Sequence, residues 1–144
     1  MRLVTRTASV RWTAGVRGGA RTAATGSGVL GRIPFLSAIP SGGNSNSNPA
    51  ELLAAAHAAS FSRALARELG PTALSAGDMV TSSSVTLERL GAGWSISNIH
   101  LSVAARLPKV TQGRFIDAAV RAKTNCLVSQ ALRATISINA RLES

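Results

Sequence analysis

The sequence has 144 residues, a formal net charge of +10, 45% hydrophobic residues and only 3% aromatic residues. This length fits one domain of ~100–200 residues, and the apolar fraction is too high for a wholly disordered chain. One cysteine and six scattered acidic residues exclude a disulfide framework, a cysteine zinc cluster and an acidic calcium or magnesium cluster, and no segment approaches the ~20 continuous apolar residues that cross a bilayer.

The first 50 residues carry six arginines and no acidic residue, as a mitochondrial transit peptide does. Apolar residues alternate along 6–12, however, and a period of two predicts a strand instead of an amphipathic helix. A glycine-rich loop at 14–19 precedes a second strand over 21–30, so we expect an N-terminal hairpin. We therefore expect no cleaved leader and a cytoplasmic location, where a lone thiol stays reduced.

The clearest predicted helix follows a polar loop at 40–48. Asn48 is a good N-cap residue, Pro49 suits the first helical position, and Glu51 completes a capping box by reaching back to the cap amide. The helix is predicted to end near Leu69, before Gly70. Because 52–59 is apolar on nearly every side, we expect burial all round, by a wrapped sheet or by a partner subunit.

Two long strands are predicted over 80–90 and 94–107, with a bulge near Asn98 where the alternation changes parity. A helix beginning near Thr111, a short helix over 126–132 and a final strand over 136–142 follow. This order predicts an α+β fold in one domain over 1–144. Because 25 residues are small alanines, the core of one chain is thin, which favours a homodimer.

Several residues could carry chemistry. Cys126 is predicted at a helix N-terminus, where free amides favour a thiolate, although a small buried cysteine is an equal alternative. His57 and Ser60 could share one helix face, but no Gly-x-Ser-x-Gly elbow supports a hydrolase, and a serine bonded to a helix carbonyl is the ordinary interpretation. Glu51 is either a cap or a site carboxylate, and Arg17 is either a solvated loop charge or a site cation.

The charge also raises the question of nucleic acid. Fourteen arginines attract phosphate, but they are spread along the chain and the sequence has no tyrosine for base stacking. No helix-turn-helix, KH or RRM signature is present. A GC-rich coding bias is the preferred explanation of the arginines, and we expect neither a nucleic-acid nor a membrane partner.

Two segments together resemble the OsmC/Ohr family of thiol peroxidases. The first resembles the central helix of that family, Asn48-Pro49-Ala50-Glu51-Leu52-Leu53-Ala54-Ala55-Ala56-His57-Ala58-Ala59-Ser60-Phe61-Ser62, and the second resembles its other signature, Asn125-Cys126-Leu127-Val128-Ser129-Gln130-Ala131-Leu132. The resemblance implies an intertwined homodimer in which antiparallel sheets wrap around a long buried central helix, with sites at the subunit interface.

The resemblance also implies an activity and its residues. Family members reduce organic hydroperoxides, using an external dithiol as reductant and no metal or other cofactor. Ser60 matches the peroxidatic cysteine, Cys126 the resolving cysteine, and Glu51 the site glutamate. Arg17, or less readily Arg21, matches the arginine that pairs with this glutamate and polarises the thiolate.

Two residues depart from the family pattern: Ser60 replaces the nucleophile, and Leu127 replaces a proline. A hydroxyl is un-ionised at neutral pH and cannot follow the oxidation chemistry of sulfur, so the dithiol cycle cannot run in this chain. Three interpretations follow: Ser60 is an introduced variant of an active enzyme, the protein is a natural member that binds something else, such as an apolar ligand, or Cys126 works alone with an external thiol.

Overall fold

The computed structural model describes residues 2–13, 20–34, 47–74 and 77–143. The chain divides into two compact units, Met1–Leu52 and Leu53–Ser144. The first unit holds an antiparallel sheet in the order β1 (Ala8–Thr13), β2 (Ala20–Thr25) and β3 (Ile33–Pro34). The predicted hairpin is confirmed, although the second strand ends at Thr25 because a turn begins at the following residue. The predicted loops at 14–19 and, for the most part, 40–48 lie outside the described residues.

Helix α1 (Pro49–Leu69) begins at the predicted cap. The Asn48 side-chain oxygen accepts a 2.9 Å hydrogen bond from the Glu51 backbone N–H. The Glu51 carboxylate accepts a 2.9 Å hydrogen bond from the Ser47 hydroxyl. The capping-box prediction had the backbone N–H of Asn48 as the donor instead. The helix ends at Leu69, and the φ of 87° at the following Gly70 lies in the left-handed region that glycine adopts without a Cβ clash.

The second unit contains a three-stranded sheet in the order β4 (Asp78–Leu90), β5 (Gly93–Arg106) and β6 (Thr135–Leu142). Strands β4 and β5 form an antiparallel hairpin, whereas β5 and β6 run parallel. Thr86 pairs with Asn98 and Leu87 pairs with Ile96, so Ser97 is left over in β5. The predicted bulge is therefore confirmed, one position from Asn98.

The connection from β5 to β6 carries α3 (Gln112–Asn125) and α4 (Leu127–Ala131), and the short α2 (Pro71–Leu74) follows α1. A parallel pair needs a crossover of this kind, because a tight turn cannot return the chain in the same direction. The α+β class is confirmed. The core of this unit is formed by residues from α1, β5 and α3: Phe61, Leu65, Leu69, Leu101, Val103, Ala105, Phe115, Ala118, Ala119 and Ala122.

The expectation that α1 is buried all round over 52–59 is wrong for the single chain. The buried residues of α1 form one stripe along the helix: His57, Phe61, Leu65 and Leu69. Ala55, Ala56 and Ala59 are exposed. The apolar composition of this segment cannot distinguish a face covered within one chain from a face left bare, because alanine suits both.

In the part of the chain that the structure describes, no helix is both long enough and apolar enough to span a membrane.

Candidate functional site

Ser60 and Cys126 lie at the same end of α4. The first backbone N–H groups of a helix have no partner within it, so acceptors from elsewhere must satisfy them. The Val128 N–H donates to Ser60 Oγ at 3.3 Å, and the next N–H, that of Ser129, donates to Cys126 Sγ at 3.4 Å. Helix α1 therefore presents the Ser60 hydroxyl to the same helix turn that Cys126 caps.

Both residues also line one pocket with a volume of about 560 Å³, within the size range of ligand sites in proteins. One wall is a stripe of α1 that includes Ser60, Arg63 and Arg67, and the other wall is the α3–α4 junction with Cys126 and Leu127. The pocket thus combines a hydroxyl, a sulfur, apolar surface and two guanidinium groups. All of its described lining residues belong to the second unit.

A chain of buried hydrogen bonds runs behind the sulfur. The Ser129 hydroxyl lies 2.9 Å from Cys126 Sγ and 2.8 Å from His57 Nε2. His57 is fully buried, and burial holds its pKa below the ordinary value of 6.5, because a charged imidazolium loses its hydration there. Cys126 is only 2% exposed, and it lines the pocket.

His57 Nδ1 has no hydrogen-bond partner among the described residues. A neutral imidazole carries one N–H and one lone pair. The structure therefore supports a neutral His57 bonded to Ser129 through Nε2. This contact replaces the pairing of His57 with Ser60 that a serine hydrolase needs. Ser62, and not Ser60, makes the expected bond to a helix carbonyl, at 2.8 Å from the Ala58 oxygen.

The other predicted site residues are Glu51, Arg17 and Arg21. Glu51 is exposed in the first turn of α1, where its carboxylate accepts the bond from Ser47. Arg17 lies outside the described residues, and Arg21 belongs to β2. Among the described residues, no group of three or more histidine, cysteine, aspartate or glutamate side chains could hold a metal ion.

Sequence reasoning missed three contributors to this site. Ser129 falls three positions after the predicted cap Cys126, a spacing typical of a capped N–H, but that pattern does not identify the partner of its hydroxyl. Arg63 and Arg67 lie one and two turns after Ser60 on the helical stripe. Their position follows from helix periodicity, but the facing α3–α4 wall depends on tertiary packing.

Comparison with known proteins agrees with the architecture. The family described as OsmC-like protein matches residues 42–141. Peroxiredoxin OsmC of Escherichia coli (strain K12) is 35% identical over 133 residues, which cover 92% of this chain and 93% of that protein.

Solved structures show the same fold. An OsmC-like protein of unknown function from Vibrio cholerae matches with a TM-score of 0.77 at 14% identity, over 96% of this chain and 99% of its own. The organic hydroperoxide resistance protein OhrB of Bacillus subtilis matches with a TM-score of 0.65 at 23% identity, over 99% of this chain and 100% of its own.

Proposed function

Because the chain belongs to the OsmC-like family, we propose that it is a thiol-dependent peroxidase of organic hydroperoxides whose turnover is impaired by Ser60. One observation carries the proposal. Ser60 Oγ and Cys126 Sγ accept the N–H groups of consecutive residues, Val128 and Ser129, at the edge of one pocket. Two side chains that react with each other during one catalytic cycle must lie close together.

The proposed chemistry requires a thiolate at position 60. Its sulfur attacks the hydroperoxide, the O–O bond breaks, the alcohol leaves, and a sulfenic acid forms on the sulfur. The Cys126 thiolate then attacks this sulfenic sulfur, which releases water and forms a disulfide. An external dithiol reduces the disulfide, becomes oxidised and restores both thiols. With Ser60 in place, the first step is absent.

Positive and negative side chains complete the proposed site. Glu51 would orient an arginine, with Arg17 as the first candidate and Arg21 as the second, and the guanidinium would stabilise the thiolate and polarise the peroxide. The neutral His57, through Ser129, adds a hydrogen bond beside Cys126. No cofactor or metal takes part in this scheme.

We propose a homodimer as the working assembly and the cytoplasm as its location. The exposed Ala55, Ala56 and Ala59 support the dimer, because small side chains allow two helices to approach closely. Nucleic acid and membranes are not proposed as partners.

A second function is a non-catalytic module that binds an apolar ligand at the dimer interface. The apolar surface of Ala59, Ala64 and Leu127 in the pocket favours it, and it needs no nucleophile at position 60. Binding of a peroxide analogue without any activity in a cysteine variant would support this alternative.

The decisive experiment compares the wild type with Ser60→Cys in dithiol-coupled turnover of cumene hydroperoxide. We expect negligible turnover by the wild type and at least a hundredfold gain in Ser60→Cys, in line with ~10²-fold or larger effects of catalytic groups. The matched control is Ser60→Cys/Cys126→Ser, which should accumulate the sulfenic acid and form no intramolecular disulfide. A folded Ser60→Cys variant without gain contradicts the peroxidase proposal.

A further inference from the structure

His57 is a fully buried polar side chain in a core that is otherwise mostly apolar. Its imidazole is 0% exposed, and it bonds to a described residue only through Nε2, which lies 2.8 Å from the Ser129 hydroxyl. Burying an imidazole with one ring nitrogen unpaired costs stability, and an apolar side chain would fill the same space without that cost. The contact between Nε2 and Ser129 is therefore the part of His57 that can have a function.

The hydrogen of the neutral imidazole is best placed on Nε2. A neutral imidazole carries a hydrogen on one nitrogen and a lone pair on the other. A hydrogen on Nδ1 would bury an N–H that has no acceptor among the described residues, and buried N–H groups without a partner are rarer in proteins than under-used acceptors. With the hydrogen on Nε2, His57 donates to Ser129 Oγ and only a lone pair stays unpaired.

The Ser129 hydroxyl then has one described acceptor for its single hydrogen. Its oxygen accepts from His57, and its other described partner is Cys126 Sγ at 2.9 Å. A helical serine otherwise turns toward the carbonyl three or four residues earlier. Here those carbonyls, of Cys126 and Asn125, already accept the backbone N–H and the side chain of Gln130. The hydroxyl therefore donates to the sulfur, which also accepts the Ser129 N–H at 3.4 Å.

We infer that His57 is a positioning residue for the reaction of Cys126: its Nε2–H holds the Ser129 hydroxyl so that two hydrogen bonds reach the sulfur and favour the thiolate. Hydrogen bonds to the charged form of a group favour that form. The inference rests on the proposed function, because it names a further residue for the step in which Cys126 forms the disulfide.

That step needs the thiolate, because the thiolate and not the thiol is the nucleophile. Cys126 first loses its proton to solvent. Its sulfur then attacks the sulfenic sulfur at position 60, the S–S bond forms as the S–O bond breaks, and the departing hydroxide takes a proton and leaves as water. His57 does not take the thiol proton in this scheme. Burial lowers its pKa, so the imidazole stays neutral and acts as a fixed donor.

The test measures the thiolate of Cys126 in the full chain with Ser60 in place, where Cys126 is the single cysteine. The ultraviolet absorbance of the thiolate gives the thiolate-to-thiol ratio at about pH 8, within the ordinary titration range of a thiol. His57→Leu removes the donor and should lower this ratio about tenfold, the size expected for a hydrogen bond to a charged group. His57→Gln should keep most of the ratio, because the glutamine amide can present an N–H to Ser129 but cannot act as a base.

Ser129→Ala should lower the ratio as much as His57→Leu does. The double variant should show no further loss, because the two residues act in series on the same sulfur. His100→Leu is the matched control. His100 also bonds a serine hydroxyl, that of Ser137 at 2.7 Å, but it does not line the pocket, so its loss should leave the ratio unchanged.

Three results overturn the inference. One is an unchanged ratio in folded His57→Leu or in Ser129→Ala. Another is an equal loss in His57→Gln and His57→Leu, because His57 then acts as a base or a charge. The third is an additive loss in the double variant. Circular dichroism checks folding, and His57→Met, which also lacks an N–H, replaces His57→Leu if that variant does not fold.

The absorbance measurement needs no turnover, so its failure differs from failure of the proposed function. If His57→Leu lowers the thiolate ratio while folded Ser60→Cys is inactive, only the peroxidase proposal fails. If Ser60→Cys is active and Ser60→Cys/His57→Leu forms its disulfide equally fast after peroxide is added, only the inference about His57 fails.

Discussion

Ser60 and Val128 are 68 positions apart in the sequence, and the Ser60 hydroxyl accepts the Val128 N–H at 3.3 Å. This bond fastens the middle of α1 to the first turn of α4. It also places position 60 where an anionic atom would meet a backbone donor. The same contact therefore contributes to stability in this chain and would stabilise a thiolate in a cysteine variant.

Ser60→Ala should destabilise the fold by about 1 kcal/mol, because it leaves the Val128 N–H without its acceptor in a half-buried setting. Urea unfolding measures the change in the free energy of unfolding. Ser95→Ala is the control, since Ser95 is exposed and should change stability by less than ~0.5 kcal/mol. Equal effects of the two substitutions contradict a role for the Ser60 bond.

Stability should fall as the pH drops through the titration of His57. The pKa of His57 is lowered by burial, so below about pH 6.5 the unfolded chain gains a proton that the folded chain resists. The contribution of His57 to the free energy of unfolding is complete above about pH 6.5. It is lost progressively as the pH falls toward the lowered pKa of His57 in the folded state. Unfolding measured between about pH 8 and pH 5 should show a steeper decline in the wild type than in His57→Gln.

His100→Gln is the control for this experiment, because His100 is half-buried rather than fully buried. It should keep the decline of the wild type. A His57→Gln variant with the same pH dependence as the wild type assigns the decline to other groups.

Ser129→Ala should cost about 1–3 kcal/mol, because it leaves His57 Nε2 buried without its 2.8 Å partner. Ser137→Ala offers a close comparison, since Ser137 lies 2.7 Å from His100 Nδ1 in a half-buried setting where water can replace the hydroxyl. We expect the Ser129 variant to unfold at lower denaturant. The reverse order contradicts the importance of the buried hydrogen-bond chain.

Sedimentation equilibrium should give the proposed homodimer a mass of about twice the 14.8 kDa of one chain. Ala56→Glu should shift it toward the monomer, because the substitution adds a carboxylate to the bare face of α1 without entering the core. Ala92→Glu, in the exposed turn between β4 and β5, should leave the assembly unchanged. A wild-type monomer at all concentrations tested rules the dimer out.

Local signals predicted most of the secondary structure. Cap and breaker residues located α1 from Asn48 to Gly70, and alternation located β5 and β6, including the change of parity beside Asn98. These signals act over a few residues, so one sequence carries them. The prediction gave the Glu51 carboxylate the wrong hydrogen-bond donor, because the Ser47 hydroxyl and the Asn48 backbone N–H are both close to it in the sequence.

The site was predictable only in part. The family resemblance brought Ser60 and Cys126 to attention, and the structure places both at one pocket. The hydrogen bond between His57 and Ser129 spans 72 positions, and no periodicity in either segment specifies it. The same holds for the position of Arg63 and Arg67. Helix periodicity places them on one stripe of α1, but it does not show that the α3–α4 junction faces them across a pocket.

The parallel pairing of β5 and β6 has a consequence for how the molecule is made. His100 and Ser137 sit side by side although 37 positions separate them, so this part of the sheet closes only after the intervening helices have been synthesised. During synthesis on the ribosome, one edge of β5 stays unpaired until β6 has been made. An unpaired strand edge can form hydrogen bonds with other chains. Slow translation or a shortage of chaperones during this interval should therefore favour aggregation of the nascent protein.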